Sequence, residues 1–298
     1  MKSVNAFKRK LIQIAAFGFT NIHIENFKTG SIYKGPWKHF CAPGLNCYSC
    51  PAAALSCPIG ALQAVSSSME FQLSFYVTGF LLAAGVLLGR WICGFLCPFG
   101  LFQELLHKIP FPKRKLWSPL RFLKYIILLL FVILLPMVAT NYMGMGKPSF
   151  CQYICPAGTL EGGIPLLMTH PELRSALGSL FRLKVLILAG TLLGCLIVYR
   201  FFCKALCPLG AIYGLLNKVS ICHLEIDPDK CISCQKCVHI CKMDVNPPKN
   251  PDSAECIRCG QCREVCPAQA ISLGFRRKKK KPKQNAFGCV ENHFSRIK

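Results

Sequence analysis

Cys231, Cys234 and Cys237 follow one another with two residues between neighbours, Cys241 comes next, and the pattern returns at Cys256, Cys259, Cys262 and Cys266-Pro267. Thiolates at this spacing wrap three corners of an iron–sulfur cube from one short loop, and the fourth ligand of each run crosses to the other cube. This predicts two [4Fe–4S] clusters, one on Cys231, Cys234, Cys237 and Cys266, the other on Cys241, Cys256, Cys259 and Cys262. Zinc is the competing occupant, but zinc knuckles supply paired cysteines and have no use for a third two residues further on. The first run ends in Cys241-Lys242 where the second has proline, which leaves the ligand count untouched.

The rest of the chain has another character. Of its 298 residues 52% are hydrophobic and 16% charged, whereas a soluble domain usually carries about a quarter charged residues. Secreted disulfide scaffolds are short and lack hydrophobic spans, so the 21 cysteines point to metal. The formal charge of +23 counts every thiol as neutral, and each cube held by four thiolates brings roughly −2. Uncharged runs from Phe71 to Gly89 and from Tyr125 to Gly146 reach the roughly 20 residues that a spanning helix needs. Val185 to Tyr199 is shorter, but its apolar pattern begins near Leu177, and Arg182 and Lys184 can snorkel to an interface. Leu11 to Ile24 is the weakest run, because it is short and contains His23; an interfacial helix competes with a span there. Lys8-Arg9-Lys10 precedes that run without a small-residue cleavage site after it, so it reads as an anchor that stays.

The fold class expected is a membrane all-α domain over 1–220, with four transmembrane helices near 9–26, 70–91, 122–143 and 178–200 in two pseudo-symmetric halves, about 1–115 and 116–220. A C-terminal α+β bacterial-type 2×[4Fe–4S] ferredoxin domain at 221–275 and a basic tail at 276–298 complete it. The segment from Arg90 to Lys124 is rich in lysine and arginine, as are both ends of the chain, which puts the N-terminus and the ferredoxin domain in the cytoplasm of a multi-pass cell (inner) membrane protein.

Two stretches of the membrane part repeat. Arg90-Trp-Ile-Cys93-Gly-Phe-Leu-Cys97-Pro98-Phe-Gly100 aligns with Arg200-Phe-Phe-Cys203-Lys-Ala-Leu-Cys207-Pro208-Leu-Gly210 at an offset of 110, and nine of the nineteen positions from 90 to 108 agree. Hydrophobic bias alone does not give such a match. Further Cys-Pro-x-Gly elements lie at Cys57-Pro58-Ile-Gly60 and Cys155-Pro156-Ala-Gly158. Proline suits the first position of a helix, so each preceding cysteine becomes a cap beside unpaired N–H groups, which favour a thiolate or an anionic cluster. If the halves face each other, Cys93, Cys97, Cys203 and Cys207 supply four thiolates for one shared inner cluster. Redox dithiols, a disulfide, or a haem or copper site compete with that reading.

Six cysteines fall in the outer segments: Cys41, Cys47, Cys50, Cys57, Cys151 and Cys155. Cys47-x-x-Cys50-Pro51 with Cys57-Pro58 resembles a stretched ferredoxin run with Cys41 as fourth ligand, whereas the internal symmetry would recruit Cys151 and Cys155 opposite Cys57. Disulfides are the alternative in an oxidising exterior. Cys195, Cys222 and Cys289 have no partner pattern and read as ordinary residues.

The hydrophobic spans, the two inner Cys-x-x-x-Cys-Pro elements at 93–98 and 203–208, and the dicluster segment at 231–267 together resemble the NapH, NosR and CcoG group of membrane polyferredoxins over residues 1–275, with NapH closest in layout. The resemblance implies electron transfer between the quinone pool, soluble cytoplasmic donors and redox partners on the outer face. The cysteine-rich loop at 41–57 and Cys151-x-x-x-Cys155-Pro156 depart from the pattern, and a flavin would have to come on a separate subunit. No hydrolytic or group-transfer constellation is present; the expected role is one-electron transfer, as the quinol-dehydrogenase or electron-transfer subunit of an oxidoreductase complex. A hydrocarbon core about 30 Å thick calls for a relay, either a bound quinone or closely approached clusters. His23, Glu25, Glu104 and His107 are ionisable groups near the expected interfaces, and for each a structural or lipid-facing role stands ahead of proton handling. The rival function is a redox accessory or sensor protein in metal-centre assembly or regulation. Arg276 to Lys281 with Lys283 fits anionic lipid headgroups, with a solvated tail as the alternative; with no aromatic platform or helix-turn-helix beside it, nucleic acid is not an expected partner.

Overall fold

The computed structural model describes residues 6–66, 75–139 and 146–275; the basic tail and Cys289 lie outside the described residues. The first helix, α1 (Ala6–Thr20), is amphipathic in reverse: Phe7, Leu11, Ile14, Phe17 and Phe19 are exposed, whereas Arg9, Gln13 and Thr20 are buried. A loop carries the chain to α2 (Pro58–Ser66), and α3 (Phe75–Leu88) follows. A left-handed turn at Gly89 leads into the short α4 (Trp91–Phe95) and then α5 (Pro98–Leu106).

Next comes α6 (Ser118–Val138), whose middle, Leu128–Leu134, widens into π turns ahead of Pro136. Proline lacks an N–H and crowds the preceding turn, and a locally widened helix accommodates both. The helix α7 (Ser179–Ile197) is followed by α8 (Phe201–Ala205) and α9 (Pro208–Leu216). Beyond them β1 (Cys222–Ile226) pairs antiparallel with β2 (Ile271–Phe275), Cys222 opposite Phe275 and Ile226 opposite Ile271. Between the strands lie the cysteine runs and two one-turn helices, α10 (Lys236–His239) and α11 (Gln261–Glu264).

The four-span expectation is corrected. Among the described residues two helices, α6 and α7, are long and apolar enough to cross a membrane. At 1.5 Å per residue the described parts of α1 and α3 extend about 20 Å, short of the roughly 30 Å hydrocarbon thickness. The α1 sequence also turns Arg9 inward to a buried ion pair with Glu104, so it is the polar side chains of this helix that pack inward while its large apolar ones stay exposed. The anticipated α+β domain reduces to a two-stranded sheet and short helical turns.

Among the described residues one large core cluster runs through the molecule, with three small satellites beside it. It joins Leu45, Ile59, Phe99, Phe150, Phe202 and Tyr213 to Cys41, Cys57, Cys93, Cys97, Cys155 and Cys207, with Cys151, Cys241, Cys256 and Cys259 packed at its edge.

Candidate iron–sulfur sites

The two ferredoxin runs share one backbone trace. Ser233 and Arg258, each just before the second cysteine, have positive φ, as do Gln235 and Gly260 just after it, and Asp244 and Gln269 three residues past Cys241 and Cys266. Non-glycine residues seldom adopt this conformation, so five of them in six matched positions mark a geometry imposed by more than local preference. Successive N–H groups in such turns form a concavity that suits an anionic centre. Burial first, and then neighbouring cysteines, Cys241 among them, push up the thiols of Cys256, Cys259 and Cys262, and Cys237 likewise senses Cys231 and Cys234. Cys234 is exposed and Cys266 half-buried, so the first loop faces away from the core that holds the second.

The inner cysteines converge. Cys207 caps α9, its Sγ accepting from the Gly210 N–H at 3.3 Å, and Cys97 precedes Pro98 at the start of α5 and receives backbone hydrogen bonds from Leu45 and Gly100. Burial is the largest influence on Cys97 and Cys207, and each also senses Cys93 and Cys203, all in the direction of a higher pKa. Four thiols held this way ionise together only if cations or metal compensate. Two arginines supply positive charge by reciprocal exchange: the Arg90 Nη2 donates to the Cys203 carbonyl at 3.1 Å, and the Arg200 Nη1 to the Cys93 carbonyl at 2.6 Å. Gly100 and Gly210 leave the space for them, since a Cβ at either would stand 3.1–3.4 Å from the same carbonyl and guanidinium.

Each arginine has its own carboxylate. Glu104 binds Arg200 at 2.6 Å, Arg9 through two hydrogen bonds of 2.7 Å, and the Tyr199 hydroxyl at 2.7 Å. Burial would push its carboxyl up, but Arg200 and Arg9 outweigh that and hold it at about 2. Glu104 is therefore a fixed counter-ion, the structural role that stood ahead of proton handling for it. His107 is tied to the Cys195 carbonyl at 3.1 Å, and His23 stacks on Tyr33.

Arg90 pairs instead with Glu255 at 2.7 Å, next to Cys256, and also donates to the Ala254 carbonyl. Lys124 binds the other Glu255 oxygen. Arg258, between Cys256 and Cys259, donates to the Leu88 and Asn217 carbonyls, and Lys204 reaches Asp244 at 2.7 Å. The backbone approaches so closely that a Cβ on Gly94 would meet the Ile257 carbonyl at 2.6 Å. Gly94 and Lys204 are equivalent positions of the repeat, so where its two copies differ each serves this docking. All these contacts come from 242–258, the part of the module around the second cysteine set.

The outer cysteines divide. Cys155 senses Cys151, Cys47 and Cys57, and a Cβ on Gly158 would lie 3.3 Å from the Cys47 Sγ. Cys41 bridges to Ser56 and senses Cys57 alone, and the Cys50 Sγ donates to the Glu161 carbonyl at 3.1 Å. Loop 43–47 passes between the outer and inner sets: the Leu45 N–H serves Cys97 and the Asn46 N–H serves Cys57, and Gly44 sits where a Cβ would be 2.7 Å from the Cys97 Cα. All twenty described cysteines are free of disulfides. Among the described residues no three His, Cys, Asp or Glu side chains converge tightly enough to chelate a single ion. A cube spreads its four thiolates over separate iron corners, which fits wider four-cysteine sets.

The comparisons agree with this donor chemistry. A model described as a 4Fe-4S binding domain matches residues 71–118, 125–164 and 183–222, and one described as a 4Fe-4S dicluster domain matches 223–267. An uncharacterized protein of Methanocaldococcus jannaschii is 30% identical over 205 residues, covering 65% of this chain and 76% of that relative. The putative electron transport protein YccM of Escherichia coli is 27% identical over 216 residues, 68% of this chain and 55% of YccM. The ferredoxin-type protein NapH of the same organism is 32% identical over 102 residues, 31% of this chain and 36% of NapH.

The chain belongs to the NapH-like polyferredoxins.

It is accordingly an iron–sulfur electron-transfer protein that carries [4Fe–4S] clusters. No solved structure matches it. This polyferredoxin spans little more than half of YccM and about a third of NapH. Sequence reasoning missed Arg90, Arg200, Gln103 and Glu255, although both arginines stand at the same place in the repeated motif, three residues before its first cysteine. Cys195, read as an ordinary residue, donates to Gln103 Oε1 at 3.6 Å.

Proposed function

We propose that this polyferredoxin is a membrane-bound electron conduit in which two clusters of the dicluster module feed a third, held by Cys93, Cys97, Cys203 and Cys207. The pairing of Cys231, Cys234, Cys237 with Cys266, and of Cys241 with Cys256, Cys259 and Cys262, gives the route its order. The first cluster sits at the exposed end and exchanges electrons with a soluble donor; the second lies against the membrane part.

One observation carries the reading: the Arg90 guanidinium touches the Cys203 carbonyl and the Glu255 side chain at once, bridging the residue next to Cys256 to the inner cysteines. When bound, the clusters supply reversible one-electron chemistry. The chain's own residues hold the thiolates, exclude water from Cys93, Cys97, Cys203 and Cys207, and balance their charge with Arg90 and Arg200. The membrane location is supported by α6 and α7, where Ile126, Leu129, Leu186 and Leu193 are all more than half exposed; such faces suit lipid. The basic segment from Arg90 to Lys124 favours placing the dicluster module on the cytoplasmic face. A quinone or an outer-face protein then completes the circuit.

The test is anaerobic reduction of the purified, cluster-loaded chain by a quinol or by reduced ferredoxin, followed by EPR and absorbance. Reduction at turnover rates supports the conduit, and failure of every quinol and ferredoxin to reduce any cluster refutes it. Cys93→Ser combined with Cys203→Ser should remove one cluster's signal and leave the dicluster pair reducible from the exposed end.

A further inference from the structure

We propose that Cys47, Cys57, Cys151 and Cys155 hold a fourth [4Fe–4S] cluster, in a site built as a twin of the inner one. Six residues after the cysteine of each Cys-Pro-x-Gly element stand Gln63, Gln103, Glu161 and Tyr213. Gln103 donates through Nε2 to the Cys203 Sγ at 3.1 Å and to the Phe99 carbonyl at 3.3 Å, and accepts at Oε1 from the Phe202 N–H at 3.1 Å. Gln63 repeats all three contacts on the outer side. Its Nε2 donates to the Cys151 Sγ at 3.1 Å and to the Ile59 carbonyl at 3.3 Å, and its Oε1 accepts from the Phe150 N–H at 2.9 Å.

The other two members also correspond. The Tyr213 hydroxyl donates to the Pro43 carbonyl at 3.0 Å, and Glu161 accepts from the Cys47 N–H at 2.8 Å, so both fasten the loop that runs between the sites. In this correspondence Cys57 stands for Cys97, while Cys151 and Cys155 stand for Cys203 and Cys207. Residue 53 is alanine where the inner copy has Cys93, and Cys47 fills the vacancy from the loop, its Sγ lying against the Gly158 turn. Cys41 and Cys50 fall outside the set.

Two further observations point the same way. The Thr159 Oγ1, one residue past Gly158, is buried without a hydrogen-bond partner in the structure, as a donor reserved for an acceptor such as a cluster sulfur would be. The 4Fe-4S binding model matches 125–164, with Cys151 and Cys155, as it does the two segments that carry the inner cysteines. Each thiol gives its proton to solvent as its iron–sulfur bond forms.

This inference extends the conduit by one cluster, and its test separates the two. Full-length protein is purified anaerobically with its clusters and assayed for iron, acid-labile sulfide and EPR. Cys57→Ser with Cys151→Ser should lose about four irons per chain and one EPR component, while Cys41→Ser with Cys50→Ser should lose none. Gln63→Leu should keep the iron and lower one midpoint potential, because a hydrogen bond to thiolate favours the reduced, more anionic cluster; Gln103→Leu should shift a different one. Unchanged iron in the Cys57/Cys151 variant, or no potential moved by Gln63→Leu in a fully loaded protein, overturns the fourth cluster. Loss of the inner signal alone, in Cys93→Ser with Cys203→Ser, bears only on the conduit's third cluster.

Discussion

Replacing Glu104 by glutamine removes the negative charge that two buried guanidinia share while keeping the side chain's shape. Arg200 is fully buried and Arg9 nearly so. Glu104 binds them through Oε1 and Oε2 at 2.6–3.0 Å. Breaking a buried ion pair from one side costs roughly 3–5 kcal/mol, because the partner charge stays behind. The carboxyl's displacement from 4.5 to about 2 gives a consistent figure, about 3 kcal/mol at 1.36 kcal/mol per pKa unit. At about 2–4 °C of midpoint per kcal/mol, Glu104→Gln should lower it by roughly 6–20 °C. The assay is thermal unfolding in detergent, followed by far-UV circular dichroism at one fixed scan rate. Because the folded-state pKa is depressed, the wild-type contribution is whole above about pH 4.5 and fades as pH falls toward 2. The variant should lack that part of the acid limb. A midpoint within about 2 °C of wild type at neutral pH would refute the claim that Glu104 neutralises both arginines.

Arg90→Lys keeps the charge but cannot serve Glu255, Ala254 and Cys203 together; electron exchange between the dicluster module and the inner site should slow at least tenfold in stopped-flow reduction, with iron content unchanged. Gly94→Val drives a side chain into the Ile257 carbonyl and should undock the module, seen as faster proteolysis after Asn217 and greater exposure of Cys256 to alkylation in cluster-free protein. Gly100→Leu crowds Arg200 against the Cys93 carbonyl, and the overpacking should cost about 1–3 kcal/mol, read as a lowered midpoint in the same thermal assay.

Much of the site was legible because cluster chemistry writes itself into spacing. Three cysteines at two-residue gaps can wrap one cube, and a proline after a cysteine marks a helix start, so the dicluster runs and the four Cys-Pro-x-Gly elements stood out without any structure. The spans were less legible. Hydropathy treats Arg9 and Gln13 as interruptions of an apolar run, whereas the fold buries them and leaves phenylalanines and leucines outside, and α3 proved too short over its described length. Periodicity alone does not tell which face of a helix meets protein.

Sequence by itself determined the element of chemistry, iron held by thiolates, and the repetition that builds its sites, since both follow from residue type and local spacing. Only the tertiary structure decided which cysteines meet, because the cysteines of the inner group come from two segments 110 residues apart and those of the proposed outer set from three. It also decided that Arg90 and Arg200 would change places between the halves, that Glu255 would stand over the inner site, and that Gln63 and Gln103 would each donate to a thiol. Those contacts arise from burial: a charge or thiol removed from water must find its partner wherever the chain brings one.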